Sequence, residues 1–156
     1  MKKQINECKV KFSALSRNES MSRSIASAFL LQCDPTVEEL AAVKVAVSEA
    51  VTNAIVHGYR DIEGEVEMRL RLFDDGTVYI QIKDRGRGIS DVEKAMEPMF
   101  TTAPEDEERS GLGFSVMESF MDKVRVKSAL GKGTTVTLEK KLAEKSERGA
   151  ARLDKR

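Results

Sequence analysis

Glu49 and Asn53 lie four residues apart in a stretch of helical periodicity, so one helix face presents a carboxylate and an amide together. Ala42, Val45, Ala46 and Val56 flank that face, while Leu40, Val43, Val47, Val51 and Ala54 form the opposite stripe. An ionised carboxylate in apolar surroundings calls for a bound cation, a reacting hydroxyl or a basic side chain; a buried hydrogen-bonded pair is the alternative. A second signal is Asp84-Arg85-Gly86-Arg87-Gly88-Ile89, directly after a strand pattern. Its glycines permit close approach by a ligand, and Asp84 is placed to accept a hydrogen bond from the amino group of a base. An ordinary exit from a strand into a turn has the same composition. The third is Arg109-Ser110-Gly111-Leu112-Gly113, where a polar loop opens a helix. Free N–H groups at a helix start, with glycines beside them, make a phosphate site. Arg109 either pairs with a terminal phosphate or faces water. Last, Gly131-Lys132-Gly133-Thr134-Thr135 reads as a hairpin turn in which Thr134 offers a hydroxyl.

The elements that must position these residues follow from periodicity. Cys8, Val10 and Phe12 alternate with Lys9 and Lys11 as in a strand with one buried face. Ser16 and Glu19 have capping-box spacing and open a first helix that ends near Cys33. Asp34-Pro35 supplies an N-cap and a first-turn proline for a long helix running to about His57, where Gly58 ends it. Val66, Met68, Leu70 and Leu72, then Asp75-Gly76, then Val78, Ile80 and Ile82 predict a hairpin. Ser90 and Glu93 are expected to cap a short helix, residues 98–113 to form a long lid-like loop containing Thr101, Thr102 and an acidic run at 105–108, and Phe114 to Asp122 to form a helix. Val124 and Val126, then Val136 and Leu138, give two further strands. Each strand has one apolar and one polar face. The expected fold is therefore an α/β (α+β) two-layer sandwich, its sheet mostly antiparallel and its helices on one face. Residues 1–142 form one domain, and residues 143–156 a charged flexible tail.

The chain has 156 residues, enough for one core, and its 26 basic residues balance 26 acidic ones. No summed field draws it to nucleic acid or to an anionic membrane. The N-terminus lacks the apolar run of a signal peptide, and no stretch is expected to span a membrane, which predicts a cytoplasmic protein. Cys8 and Cys33 are expected to be free buried thiols.

In this order the four motifs resemble the N, G1, G2 and G3 boxes of the Bergerat-fold ATPases, the superfamily that includes DNA gyrase and the histidine kinases. The phrases FSALSRNES, VSEAVTNAIVHGY, PMFTT and ERSGLGFSVMESFMD further resemble the sporulation anti-sigma F factor family of serine kinases, over roughly residues 8–142. The resemblance implies ATP or ADP and Mg2+ as ligands. It makes Glu49 the general base for a substrate serine, Asn53 a magnesium ligand, and Asp84 the acceptor for the adenine amino group. Gly86 and Gly88 would let the backbone close on the nucleotide, Gly111 and Gly113 would bind phosphates, Arg109 would approach the terminal phosphate, and Thr134 would support the adenine pocket. It further implies a sigma factor and an anti-anti-sigma factor as partners, the latter phosphorylated on serine, with Asn18, Glu19, Ser22 and Arg23 as candidate contacts, and a homodimer through the N-terminal strand. Read without it, those four residues are a solvated helix face. A general-stress anti-sigma kinase and a nucleotide-gated binding module without catalysis are the competing expectations. A detached histidine-kinase domain fits poorly, because the single histidine, His57, lies in the nucleotide-site helix.

Overall fold

The computed structural model describes residues 1–60, 62–97 and 113–143. Five strands, β1 (Gln4–Ser13), β2 (Glu65–Phe73), β3 (Thr77–Asp84), β4 (Lys123–Ala129) and β5 (Gly133–Lys141), form one sheet in the order β1-β2-β3-β5-β4. Every neighbouring pair is antiparallel. Register puts Met68 opposite both Val10 and Ile82, and Ile82 opposite Val136, so the apolar members of each alternating run share one face. That face carries Val66, Met68, Leu70, Val78, Ile80 and Leu138, all fully buried. Glu67, Arg69, Arg71 and Gln81 occupy the other face, half-exposed. One dry face and one wet face is what the alternation predicts, and the two-layer arrangement stands.

Three helices of eight or more residues cover the dry face: α1 (Arg17–Leu31), α2 (Val37–Asn53) and α4 (Gly113–Phe120); the short α3 (Val92–Ala95) follows β3. Ala26 and Leu30 of α1, Val43, Ala46, Val47 and Val51 of α2, and Met117 of α4 are buried in a single cluster with the sheet residues. At about 25 cal/mol per Å² of apolar surface removed from water, burial of this kind is what outweighs the cost of ordering α2, with α1 on one flank and α4 on the other.

The helix boundaries differ from expectation in four places. Ser16 is itself helical, with φ −54°, so its side chain caps nothing, and Glu19 turns its carboxylate elsewhere. Asp34 takes a left-handed φ of 50°, and the N-cap of α2 is Thr36. Thr36 forms the capping box: its Oγ1 accepts from Glu39 N–H at 3.1 Å while Glu39 Oε2 accepts from Thr36 N–H at 2.9 Å. Gly58 does not end the long helix, which widens into a π turn over Ala54–Tyr59 and stops at Arg60, φ 42°. Asp91, not Ser90, caps α3, its Oδ1 accepting from Lys94 N–H at 3.1 Å.

Val37–Tyr59 also corrects the expectation that no stretch approaches a membrane span, because by length and mean hydropathy (1.3) it is sufficient to cross one. Here that apolarity faces the core, where Val43, Val47 and Val51 are almost wholly buried. Cys8 and Cys33 form no disulfide and are half-buried rather than buried. The expected lid lies outside the described residues apart from its last position, Gly113, and so does nearly all of the expected tail.

Candidate functional site

The Glu49/Asn53 face of α2 meets the first residue of α4. A Cβ added to Gly113 would lie 3.2 Å from Glu49 Oε2 and 3.2 Å from Asn53 Nδ2, so both side chains converge on one backbone position. Any larger residue at 113 would push into them. The helical spacing had placed the pair on one face, and the structure agrees. Its surroundings are less apolar than expected: Glu49 and Asn53 are half-buried and Val45 is exposed, because this face opens into a groove at the start of α4.

Asp84 ends β3 at the other side of the groove, paired in register with Thr134, and only 5% of its surface is accessible. Burial pushes its carboxyl above the ordinary carboxylate range, while N–H groups of Gly86 and Thr134 act in the opposite direction. Gly86 N–H donates to Asp84 Oδ1 at 2.9 Å. That bond orients one oxygen, and Asp84 itself lines the cavity beside it.

The loop after Asp84 is drawn onto the π turn. Arg87 N–H donates to Gly58 O at 2.8 Å and Arg87 Nε to His57 O at 3.0 Å. A Cβ on Gly86 would lie 2.0 Å from Gly58 O, a contact between backbones that no side-chain movement relieves. On its far side the loop is tied to the β4–β5 turn. Gly131 N–H donates to Arg87 O at 2.6 Å, and Ile89 N–H donates to Ser128 Oγ at 2.7 Å. The Ser128 hydroxyl lies 2.7 Å from that of Thr134, which is buried. Gly88, with φ 76°, completes the loop.

Between these parts lies a cavity of about 470 Å³. Asn53, Asp84 and Thr134 are among its polar lining, with Ala54, Ile82 and Leu130 among the apolar walls. Its size and its few convergent polar groups suit a purine nucleotide. Among the described residues no cluster of three or more His, Cys, Asp or Glu side chains forms a self-sufficient metal site. Asn53 with Glu49 nearby does fit magnesium, which is held by one or two protein oxygens and completes its shell with water and phosphate.

Of the residues singled out from sequence, Glu49, Asn53, Asp84, Gly86, Gly88, Gly113 and Thr134 are brought around this one groove. Arg109 and Gly111 lie outside the described residues. Ser22 does not belong to an exposed face: it is fully buried, and its Oγ donates to Glu19 O at 2.6 Å. Asn18 Nδ2 donates to Ser13 O at 2.8 Å, and the Arg23 side chain is 40% exposed. Gly58, Arg87 and Ser128 were not assigned from sequence. Only Gly58 carried a signal there, as a glycine in helical surroundings.

A helix-backed antiparallel sheet with this cavity between α2, α4 and the glycine loop defines a nucleotide-binding domain of the histidine kinase type, and a family model described as "Histidine kinase-like ATPase domain" matches residues 12–140. An anti-sigma F factor of Geobacillus stearothermophilus is 52% identical over 141 residues, spanning 90% of this chain and 95% of the relative. The anti-sigma F factor of Bacillus subtilis (strain 168) is 51% identical over 140 residues, spanning 89% and 94%. The chain belongs to the histidine kinase-like ATPases and, within them, to the anti-sigma F factor family. The solved RsbU and RsbW domains of Rv1364c from Mycobacterium tuberculosis share the fold, with TM-score 0.67 at 22% identity over 91% of this chain and 34% of that one.

Proposed function

We propose that this chain is an ATP-dependent protein serine kinase that holds a sporulation sigma factor inactive and phosphorylates a serine on the anti-anti-sigma factor that would displace it. The observation that carries the reading is the convergence of Glu49 and Asn53 on Gly113, beside a nucleotide-sized cavity that Asn53, Gly113 and Asp84 line together. A base bound by its amino group at Asp84 directs its phosphates toward the start of α4. There Glu49 takes the proton of the incoming serine hydroxyl as its oxygen bonds to the terminal phosphorus, and the bond from that phosphorus to the ADP oxygen breaks. Asn53 would hold magnesium, which when bound neutralises phosphate charge. Arg109 is assigned to the terminal phosphate, and Gly111 and Gly113 to the phosphates. Thr134, oriented by Ser128, supports the adenine end.

Partner contacts are assigned to α1, where Asn18, Glu19 and Arg23 are each half-buried. β1 is an edge strand with one side unpaired, and the homodimer contact is placed there. Cysteines outside any disulfide fit a cytoplasmic protein. The reading is tested by mixing the protein with Mg-ATP and the anti-anti-sigma factor, mapping modified residues by mass spectrometry, and following transcription by the sigma-containing polymerase. Phosphoserine on that partner and ATP-dependent repression are expected. Repression without phosphoserine would leave a nucleotide-gated binding module instead.

A further inference from the structure

Glu19 stands on α1 but points its carboxylate at α2. Ser48 Oγ donates a hydrogen bond to Glu19 Oε1, and Arg23 Nε lies 3.1 Å from the same oxygen. The arginine contact is a charge contact without hydrogen-bond alignment, so the two partners of that oxygen are unequal. Ser48 is directed and part-buried, whereas Arg23 reaches out with a 40% exposed side chain.

Ser48 immediately precedes Glu49. With about 3.6 residues per turn, neighbouring helical positions point roughly 100° apart, so one serves the α1 interface while the next faces Gly113. The rest of the α1–α2 contact is packed from small and apolar side chains such as Ala26 and Ala46, which resist separation but tolerate sliding and rotation more readily than a directed bond does. On the other side Gly113 leaves Glu49 and Asn53 little slack, since even a Cβ there would come within 3.2 Å of them. A small rotation of α2 at residue 48 is therefore carried to the carboxylate oxygens.

We propose that Ser48 is a positioning residue for phosphotransfer: its bond to Glu19 fixes α2 against α1 so that Glu49 sits at the phosphate end of the groove. This rests on the kinase reading given above. It also gives the outer face of α1 a route to the site. An acidic group on a partner that draws Arg23 outward leaves the Glu19 charge to Ser48 and tightens the α1–α2 bond, an effect on kcat rather than on ATP affinity.

Ser48→Ala, Ser48→Thr, Glu19→Gln and the Ser48→Ala/Glu19→Gln double variant test this, with wild type beside them. Phosphotransfer kcat, ATP affinity and hydrogen exchange over residues 49–53 are read for each. Ser48→Ala is expected to lower kcat about 10-fold with ATP affinity unchanged, as a small misplacement of a base does, and Ser48→Thr to restore it. In the partner-free chain, adding Glu19→Gln to Ser48→Ala should speed exchange over residues 49–53 no further, because the bond is already gone. Wild-type kcat in Ser48→Ala, or an equal loss in Ser48→Thr, overturns the proposal. Should the wild-type chain transfer no phosphate at all, the kinase reading fails separately, and exchange decides: faster exchange at 49–53 in Ser48→Ala supports the positioning bond, and unchanged exchange removes it.

Discussion

A carboxylate that is only 5% exposed is costly to keep ionised, and Asp84 is such a group. Its folded-state pKa is raised, so between its ordinary value and the raised one the native state binds more protons than the unfolded chain. The stability it contributes is full below the ordinary range and is lost as pH rises through the folded value. Asp84→Asn abolishes that titration, so the melting temperature of the nucleotide-free variant should gain on wild type as pH rises above the ordinary aspartate value; parallel curves would contradict the burial account. The same substitution removes the charge and replaces one acceptor oxygen by an NH2 donor at the group proposed to hold the adenine amino group. Wild type should prefer ATP over GTP by roughly 10² to 10⁴-fold, and the variant should lose that preference, which competition binding measures directly. At this scale much was legible. Glu49, Asn53 and Asp84 could be picked out because spacing along a helix and position at a strand end are local properties. The burial of Ser22 and the role of Ser128 were not, because each depends on a segment distant in sequence: Ser22 on the packing of α1, and Ser128 on the loop holding Ile89.

At the scale of elements, the strands were read correctly and the helix ends were not. Alternation over Val66–Leu72 and Val78–Ile82 fixes both face and register, since a one-residue slip would expose the whole apolar set. Helix starts are decided by a single dihedral. Ser16 and Asp34 have the right side chains, but one is helical and the other left-handed, and Thr36 alone is extended, with ψ 162°. Thr36→Ala should therefore cost about 1 kcal/mol of stability in denaturant melts while leaving nucleotide affinity unchanged. Its counterpart Ser16→Ala should cost almost nothing. The π turn had no sequence signature, and its cause is tertiary: the carbonyls of His57 and Gly58 are held by Arg87. Widened turns of this sort often sit at functional sites, and here one forms a wall of the cavity. Gly86→Ala places a methyl against Gly58 O, so the loop must leave the π turn. We expect a loss of about 1–3 kcal/mol together with most nucleotide binding, measured by melting and titration calorimetry; retention of both would mean the loop and π turn need not touch.

For the whole molecule, sheet, helices and site form one cooperative unit, because α2 carries core residues on one face and Glu49 and Asn53 on another. A ligand that bridges α2, the glycine loop and α4 should stabilise all of it. Mg-ATP at about 100 times its dissociation constant should add roughly 2.7 kcal/mol to unfolding, and no change in melting would argue against binding at this groove. The most direct test of the central claim is single-turnover transfer from terminally labelled ATP to the anti-anti-sigma factor, comparing wild type with Glu49→Ala at matched nucleotide occupancy. The account predicts serine labelling by wild type and a loss of roughly 10² to 10⁴-fold in the variant with ATP binding intact. Equal rates in the two proteins would contradict it, since the carboxylate that faces Gly113 would then take no part in the chemistry.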